Sequence, residues 1–243
     1  MKLFFLGAAV IGLGIAYFGT PPFSGTPTPD HADASGYSDF ETGVKRHPNG
    51  IIEVGALTRM PGVSAEMVHW WFADYLQTTD HYKLWHPKAH VWMDWENKKP
   101  GEIIGASHLV HEYIGPELHK ARIQFVPVED ILGHPLENDD DVAICARAGM
   151  LEEPLNAVRM CHIVRNTEFG AEMRSRFWVG FVAQRDGNDE VPSLQGLLGN
   201  TMIARRLLVS HQDGVDLMQH AIEEMGYLAD FLPELYAAET AQQ

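Results

Sequence analysis

Only two of the 243 residues are cysteine, Cys145 and Cys161. Two cysteines cannot make a disulfide framework, and no CxxC pair is present, which excludes zinc ribbons and thioredoxin-type motifs. The pair is either one bridge between adjacent strands or two buried thiols. Basic residues are scarce as well. Eighteen Lys and Arg stand against 33 Asp and Glu, a formal net charge of −15, and no basic stripe runs along the chain. A chain so acidic is a poor partner for nucleic acid. There is no internal repeat, which excludes a solenoid or propeller.

What is present is a core. Apolar residues make up 45% of the chain, enough for one large domain or two small ones. The first residues stand apart. Met1-Lys2 precedes a run from Leu3 to Gly19 without a charged residue, and Pro21, Pro22, Pro27 and Pro29 follow in a Gly/Ser/Thr-rich stretch. Residues 1–20 read as a signal peptide or membrane anchor, 21–39 as a linker and 40–243 as the domain. The uncharged run is at the low end for a membrane span, and no clear small-x-small cleavage site follows it. The domain is therefore expected outside the cytoplasm, either exported (periplasmic or extracellular) or anchored through residues 3–19.

Period and punctuation place a strand at 50–57, then a helix capped by Ser64 and running to Leu76. A loop rich in His and aromatics spans 80–90. Strands follow around 89–95, 103–113, 118–126, 142–149, 157–165 and 172–183, with an acidic loop at 127–141 and a turn at 186–190. Residues 192–236 are helical in pattern. This order predicts an α+β domain, a curved antiparallel sheet around a long C-terminal helix, with a cavity between them.

Within that last helix, Leu217, His220, Ala221, Glu224, Leu228 and Phe231 share one face, while Glu223 points away. A His and a carboxylate one turn apart thus sit in an apolar stripe. A buried carboxylate needs a partner, either an Arg or a metal ion that both side chains could reach. Thirteen His residues, seven of them between His69 and His119, favour the metal. In the strand His108-Leu109-Val110-His111-Glu112-Tyr113, residues 108, 110 and 112 share a face, so Glu112 can point inward with His108. Pro87 makes His86 part of a rigid turn.

Trp85-His86-Pro87-x-x-His90, His111-Glu112-Tyr113-Ile114-Gly115, Glu172-Met173-Arg174-Ser175-Arg176-Phe177-Trp178-Val179-Gly180 and His220-x-x-x-Glu224 together resemble the diacetylphloroglucinol hydrolase family, to which phloretin hydrolase also belongs. The likeness covers roughly residues 50–236. It implies a helix-grip (Bet v 1-like) fold and one Zn²⁺ held by two His and two Glu. By the motifs His86, His220 and Glu224 match three ligands. Glu112 is preferred to Glu117 as the fourth, because Glu117 follows Gly115-Pro116 in a turn. Fe²⁺ or Mn²⁺ would be compatible with the same residues. The resemblance also makes His162 a catalytic proton donor, with a hydrogen-bonded strand His as the plainer reading.

Tyr82, Tyr113 and Arg176 are candidate substrate contacts; Arg174 and Arg176 could equally pair with acids such as Glu172. The implied reaction is hydrolysis of a carbon–carbon bond beside a ketone, in an acylphloroglucinol-like or related small aromatic ketone. The family places a Tyr and a polar residue beside the first His ligand for phenolic hydroxyls; here Thr78 and Thr79 precede that loop and Ala89 follows it, and Phe177 stands where a Tyr would be useful, which points to a different acylphenol or β-dicarbonyl substrate. The competing readings are a non-catalytic carrier of hydrophobic ligands on the same fold and a structural zinc domain. The oligomeric state is open, a homodimer among the options.

Overall fold

The computed structural model describes residues 32–33 and 36–241. The anchor or signal expected at 1–20 and most of the 21–39 linker lie outside them. No helix among the described residues is long and apolar enough to cross a membrane.

Among the described residues nine strands form one antiparallel sheet. They are β1 (Gly43–Arg46), β2 (Ile52–Pro61), β3 (His90–Glu96), β4 (Ser107–Ile114), β5 (Glu117–Val126), β6 (Val142–Met150), β7 (Leu155–Thr167), β8 (Gly170–Asp186) and β9 (Asp189–Val191). Their order is β1-β2-β8-β7-β6-β5-β4-β3, with β9 a short hairpin extension on β8. The helices are α1 (Ala65–Trp70), α2 (Thr79–Trp85), α3 (Glu129–Leu132), α4 (Leu194–Gly199), α5 (Met202–Leu208) and the long α6 (His211–Thr240). The sheet curves around α6, which is the helix-grip arrangement expected from the sequence.

Local chemistry explains the main features. Ser64 caps α1 by accepting from the Met67 N–H, and the helix then widens into a π-helical turn, Trp71–Tyr75, where the Leu76 N–H reaches back to the Trp71 carbonyl. Ser210 and Asp213 form a reciprocal capping box that starts α6. Gly214 lets that first turn press onto the sheet: a Cβ there would lie 2.7 Å from Val44 Cγ1. The β4–β5 hairpin turns at Gly115-Pro116, where Gly115 takes φ 59°, open to glycine at no steric cost.

The segment read as a loop over 80–90 is partly helix. Thr78 caps α2 by accepting from the His81 N–H, and the helix stops at His86 because Pro87 follows. The 192–236 segment is three helices rather than one. The sheet separates two apolar layers. The concave side, with Val110, Ile144, Phe177, Leu228 and the α1 aromatics, packs on α6; the convex side holds Val126, Ile131, Cys161 and Trp178. Cys145 and Cys161 face each other on β6 and β7, Cα atoms 4.0 Å apart, and are bridged.

Candidate metal centre

The β3–β4 register decides the site. His90 opens β3 and pairs directly with Glu112 of β4, so both side chains leave the sheet on the concave face. From the opposite side α6 presents His220 and Glu224, both buried. His90 Nε2 lies 3.7 Å from Glu112 Oε2 and 3.6 Å from Glu224 Oε2. His220 Nε2 lies 3.6 Å and 3.8 Å from the same two oxygens. These gaps are too long for hydrogen bonds. They match the spread of donor atoms around an ion with metal–ligand bonds of about 2.0–2.2 Å.

The tautomer of His90 sharpens this. Its Nδ1 is 2.8 Å from the Tyr82 carbonyl oxygen, an acceptor only, so that nitrogen carries the hydrogen. Its Nε2 is buried and has no hydrogen-bond partner. That nitrogen is aimed at two carboxylates, a position from which it could ligate a cation held between them. Donor atoms of His90, Glu112 and His220 lie within 4.8 Å of one another and could hold a divalent metal, with Glu224 in reach of both histidines as a fourth donor.

The electrostatics carry the same sign. Burial alone would lower His220, but the adjacent Glu112 and Glu224 carboxylates overcome it and raise its pKa to about 9. Burial would raise Glu112; His220, His90 and the Tyr82 hydroxyl, which donates to Oε2, hold it well below the usual carboxylate range instead. Tyr82, buried and beside two carboxylates, is pushed well above the ordinary phenol value.

The expected residues divide. Glu112 points inward as read from the strand, and Glu117 is exposed in β5 beside the hairpin turn. His86 stays outside the group. It is buried and its ring lies 5.1 Å from that of His220, but its Nε2 faces Glu223 at 3.5 Å. Burial, then the neighbouring His220 and His90, push its pKa down to about 4. The position four residues later stands in the group instead, because the strand begins there. Tyr113 is 43% exposed and points away from the cavity, since it neighbours the inward Glu112 on a pleated strand. Arg176 lies on the convex face, where it donates to the Phe40 and Glu41 carbonyls and pairs with the Glu41 carboxylate.

Above the four residues opens a cavity of about 590 Å³, with walls such as Phe72, Ile123, Phe125, Val158 and Phe177. Tyr82, His108 and His162 also line it. His162 projects from β7, its Nδ1 2.7 Å from Ser175 Oγ on the paired strand β8, and burial pushes its pKa down to about 4. His108, stacked on Trp95, is pushed down to about 3 by burial. Ser175 was not anticipated; the His162–Ser175 pairing depends on the β7–β8 register.

Residues 29–237 match the family described as DAPG hydrolase PhiG domain. A 2,4-diacetylphloroglucinol hydrolase of Pseudomonas protegens is 27% identical over 212 residues, covering 81% of this chain and 67% of its own length. Phloretin hydrolase of Eubacterium ramulus is 27% identical over 207 residues, covering 79% of this chain and 69% of its own. Among solved structures, a major latex-like protein of Panax ginseng aligns with 12% identity and TM-score 0.38, covering 70% of this chain and 97% of its own. Ara h 8.0201 aligns with 8% identity and TM-score 0.43, covering 78% and 98%.

Proposed function

Because the chain belongs to the DAPG hydrolase PhiG domain family, we propose that it is a metal-dependent hydrolase of acylated polyphenols. Its reaction cleaves the carbon–carbon bond between an acyl group and an electron-rich aromatic ring. Water supplies OH to the acyl carbon and H to the ring carbon, so the products are a carboxylic acid and the deacylated phenol. The observation that carries this reading is the unpartnered His90 Nε2, aimed at two buried carboxylates on the floor of an apolar cavity. A ligand carrier has no need of buried carboxylates there.

A Zn²⁺-like cation, held by His90, Glu112, His220 and Glu224, supplies charge that polarises a carbonyl and lowers the pKa of water. The protein does the rest. Phe72, Phe125 and Phe177 enclose the ring and exclude water, which strengthens every charge interaction on the floor. The Tyr82 hydroxyl holds Glu112 in place. His162 is neutral at pH 7, with Nδ1 occupied by Ser175. Its Nε2 is left to take a proton from a phenolic hydroxyl and hand it to the ring carbon as the acyl group departs. The nearby Glu224 favours the transient imidazolium.

Phe177 gives the ring no hydrogen-bond partner at its position, so the substrate is expected to differ in its hydroxyl pattern from the phloroglucinols that name the relatives. The test is acyl release from a panel of acylated polyphenols, comparing Zn²⁺-loaded, Fe²⁺-loaded, Mn²⁺-loaded and chelated protein. Release that the chelator abolishes and metal restores supports the reading. A purified protein that binds no transition metal, or equal release in all four samples, overturns it.

A further inference from the structure

The exposed apolar residues are not spread evenly. Leu194 (62% exposed), Leu198 (38%), Ile203 (47%), Leu207 (80%) and Leu208 (72%) all lie on the α4–α5 hairpin. Isolated exposed leucines are ordinary, but five in one short hairpin mark a contact surface. The same stretch has an unusual charge. In a chain with 33 acidic residues, none falls between Glu190 and Asp213, and the exposed charge is Arg206.

The hairpin is held firmly. Arg205 is buried beneath it and donates to the Gly180 and Asn49 carbonyls and to Asn200 Oδ1. Asn200 in turn bonds both the N–H and the carbonyl of Val182. The leucines are therefore presented outward by a fixed support.

We propose that this face rests on an anionic lipid surface. A leucine-rich hairpin bearing Arg, on a stretch without acids from Val191 to Gln212, suits the interface of a bilayer whose headgroups are negative. Retained as an anchor, the leading run would be the tether. The uncharged run Leu3–Gly19 is joined by residues 20–31 to Ala32, whose carbonyl accepts from Arg174 on β8. Twelve linker residues reach about 40 Å when extended. The hairpin is fixed at Gly180–Val182 of the same strand, roughly 20–25 Å further along at the usual rise per residue. Both could therefore meet one membrane. The Cys145–Cys161 bridge suits the oxidising side of it. Leu208 and Val209 also line the cavity, so the surface lies where an apolar molecule would leave the lipid and enter. The proposal does not depend on the reaction assigned to that cavity.

The test uses the full chain in vesicles, so that the leading run is present in every sample. Leu207→Cys, and Glu168→Cys as a remote exposed control, each labelled with an environment-sensitive fluorophore, are reconstituted in phosphatidylcholine with and without phosphatidylglycerol. The label at 207 is expected to brighten several-fold and to be quenched by brominated lipid, more strongly when phosphatidylglycerol is present, while the label at 168 does neither. Adding Leu208→Glu to the 207-labelled protein should abolish the change without altering the far-UV spectrum. A label at 207 that stays in water although the chain is vesicle-bound overturns the proposal. So does a brightening that appears without lipid and grows with protein concentration, which would mean that a second copy covers the face.

Discussion

Two clusters of buried charge lie on opposite faces of one sheet, and they are built differently. On the convex face the Arg174 guanidinium donates to both oxygens of Glu41 and to the Ala32 and Gly36 carbonyls. Glu172 accepts from Arg165 and from Tyr37. Positive and negative groups meet at hydrogen-bonding distance, so the cluster is closed and fastens the N-terminal strap to the sheet. On the concave face two His and two Glu stand 3.6–3.8 Å apart, and His90 Nε2 is unpartnered. The difference separates a structural ion network from a ligand site. Burial of charge alone does not mark a candidate site; buried carboxylates without a cation, faced by an unfilled His nitrogen, do.

The largest expected effect breaks the concave cluster. His90→Ala should lose bound metal, read by elemental analysis, and reduce acyl release to that of the chelated protein. His86→Ala should keep metal and lose at most about tenfold in rate, as a residue that only packs beside a ligand would. The reverse order for these two variants would sink the four-residue assignment. On the convex face the damage should appear in stability instead. Glu41→Ala leaves two buried guanidinium groups without their carboxylate, a change expected to cost about 3–5 kcal/mol in chemical denaturation. Metal content per folded molecule should stay as in the parent.

The comparison also explains what the sequence could disclose. His220 and Glu224 follow from the helical period, and Glu112 from strand alternation, because each needs only local geometry. Alternation also places Tyr113 outside once Glu112 is inside. His90 rather than His86 was decided by where β3 begins and which residue it pairs with, a register that no single segment carries. Arg176 was ambiguous because Ala171 to Trp178 is buried on both faces, so alternation groups Glu172, Arg174 and Arg176 on one side of β8 without saying which side faces the cavity. The convex side of β8 is covered by residues 36–41, which straddle the boundary between the linker and the domain as read from the sequence. The curved sheet around α6 was legible from element order, whereas α2 was hidden in a stretch of His and aromatics.

A smaller effect contrasts the faces by pH. His162 titrates at 6.5 when unfolded and at about 4 when buried. Between those values the unfolded chain binds the proton and the folded chain does not, so folding stability falls as pH drops from 6.5 towards 4. The gap corresponds to about 3 kcal/mol at full development. His162→Gln should flatten the fall in a pH series of denaturation midpoints by a comparable amount. Glu41→Ala lowers stability across that window and should leave the slope as it is near its upper end. Towards the lower end the fall should also soften, because the Glu41 carboxyl, which burial would raise but Ser38 and the two arginines hold below its usual value, protonates sooner in the unfolded chain. An unchanged slope in His162→Gln would mean that the ring is charged or solvated in the folded protein.

The smallest expected effect sits where the two kinds of cluster overlap. Tyr82 donates to Glu112 through its hydroxyl and accepts from His90 through its backbone carbonyl. Tyr82→Phe removes the first contact and keeps the second. The buried ring still stacks on His90, centroids 3.6 Å apart, so packing should survive. Glu112 then lacks one donor, and metal affinity is expected to weaken by about tenfold, in keeping with the usual cost of losing a group that orients a ligand. A competition titration against a chelator reads this directly. If Tyr82 were instead only a wall of the cavity, the affinity would not move and the Michaelis constant would. Affinity shifting with the melting temperature unchanged assigns the hydroxyl to the open cluster; a lower melting temperature with unchanged affinity assigns it to the fold.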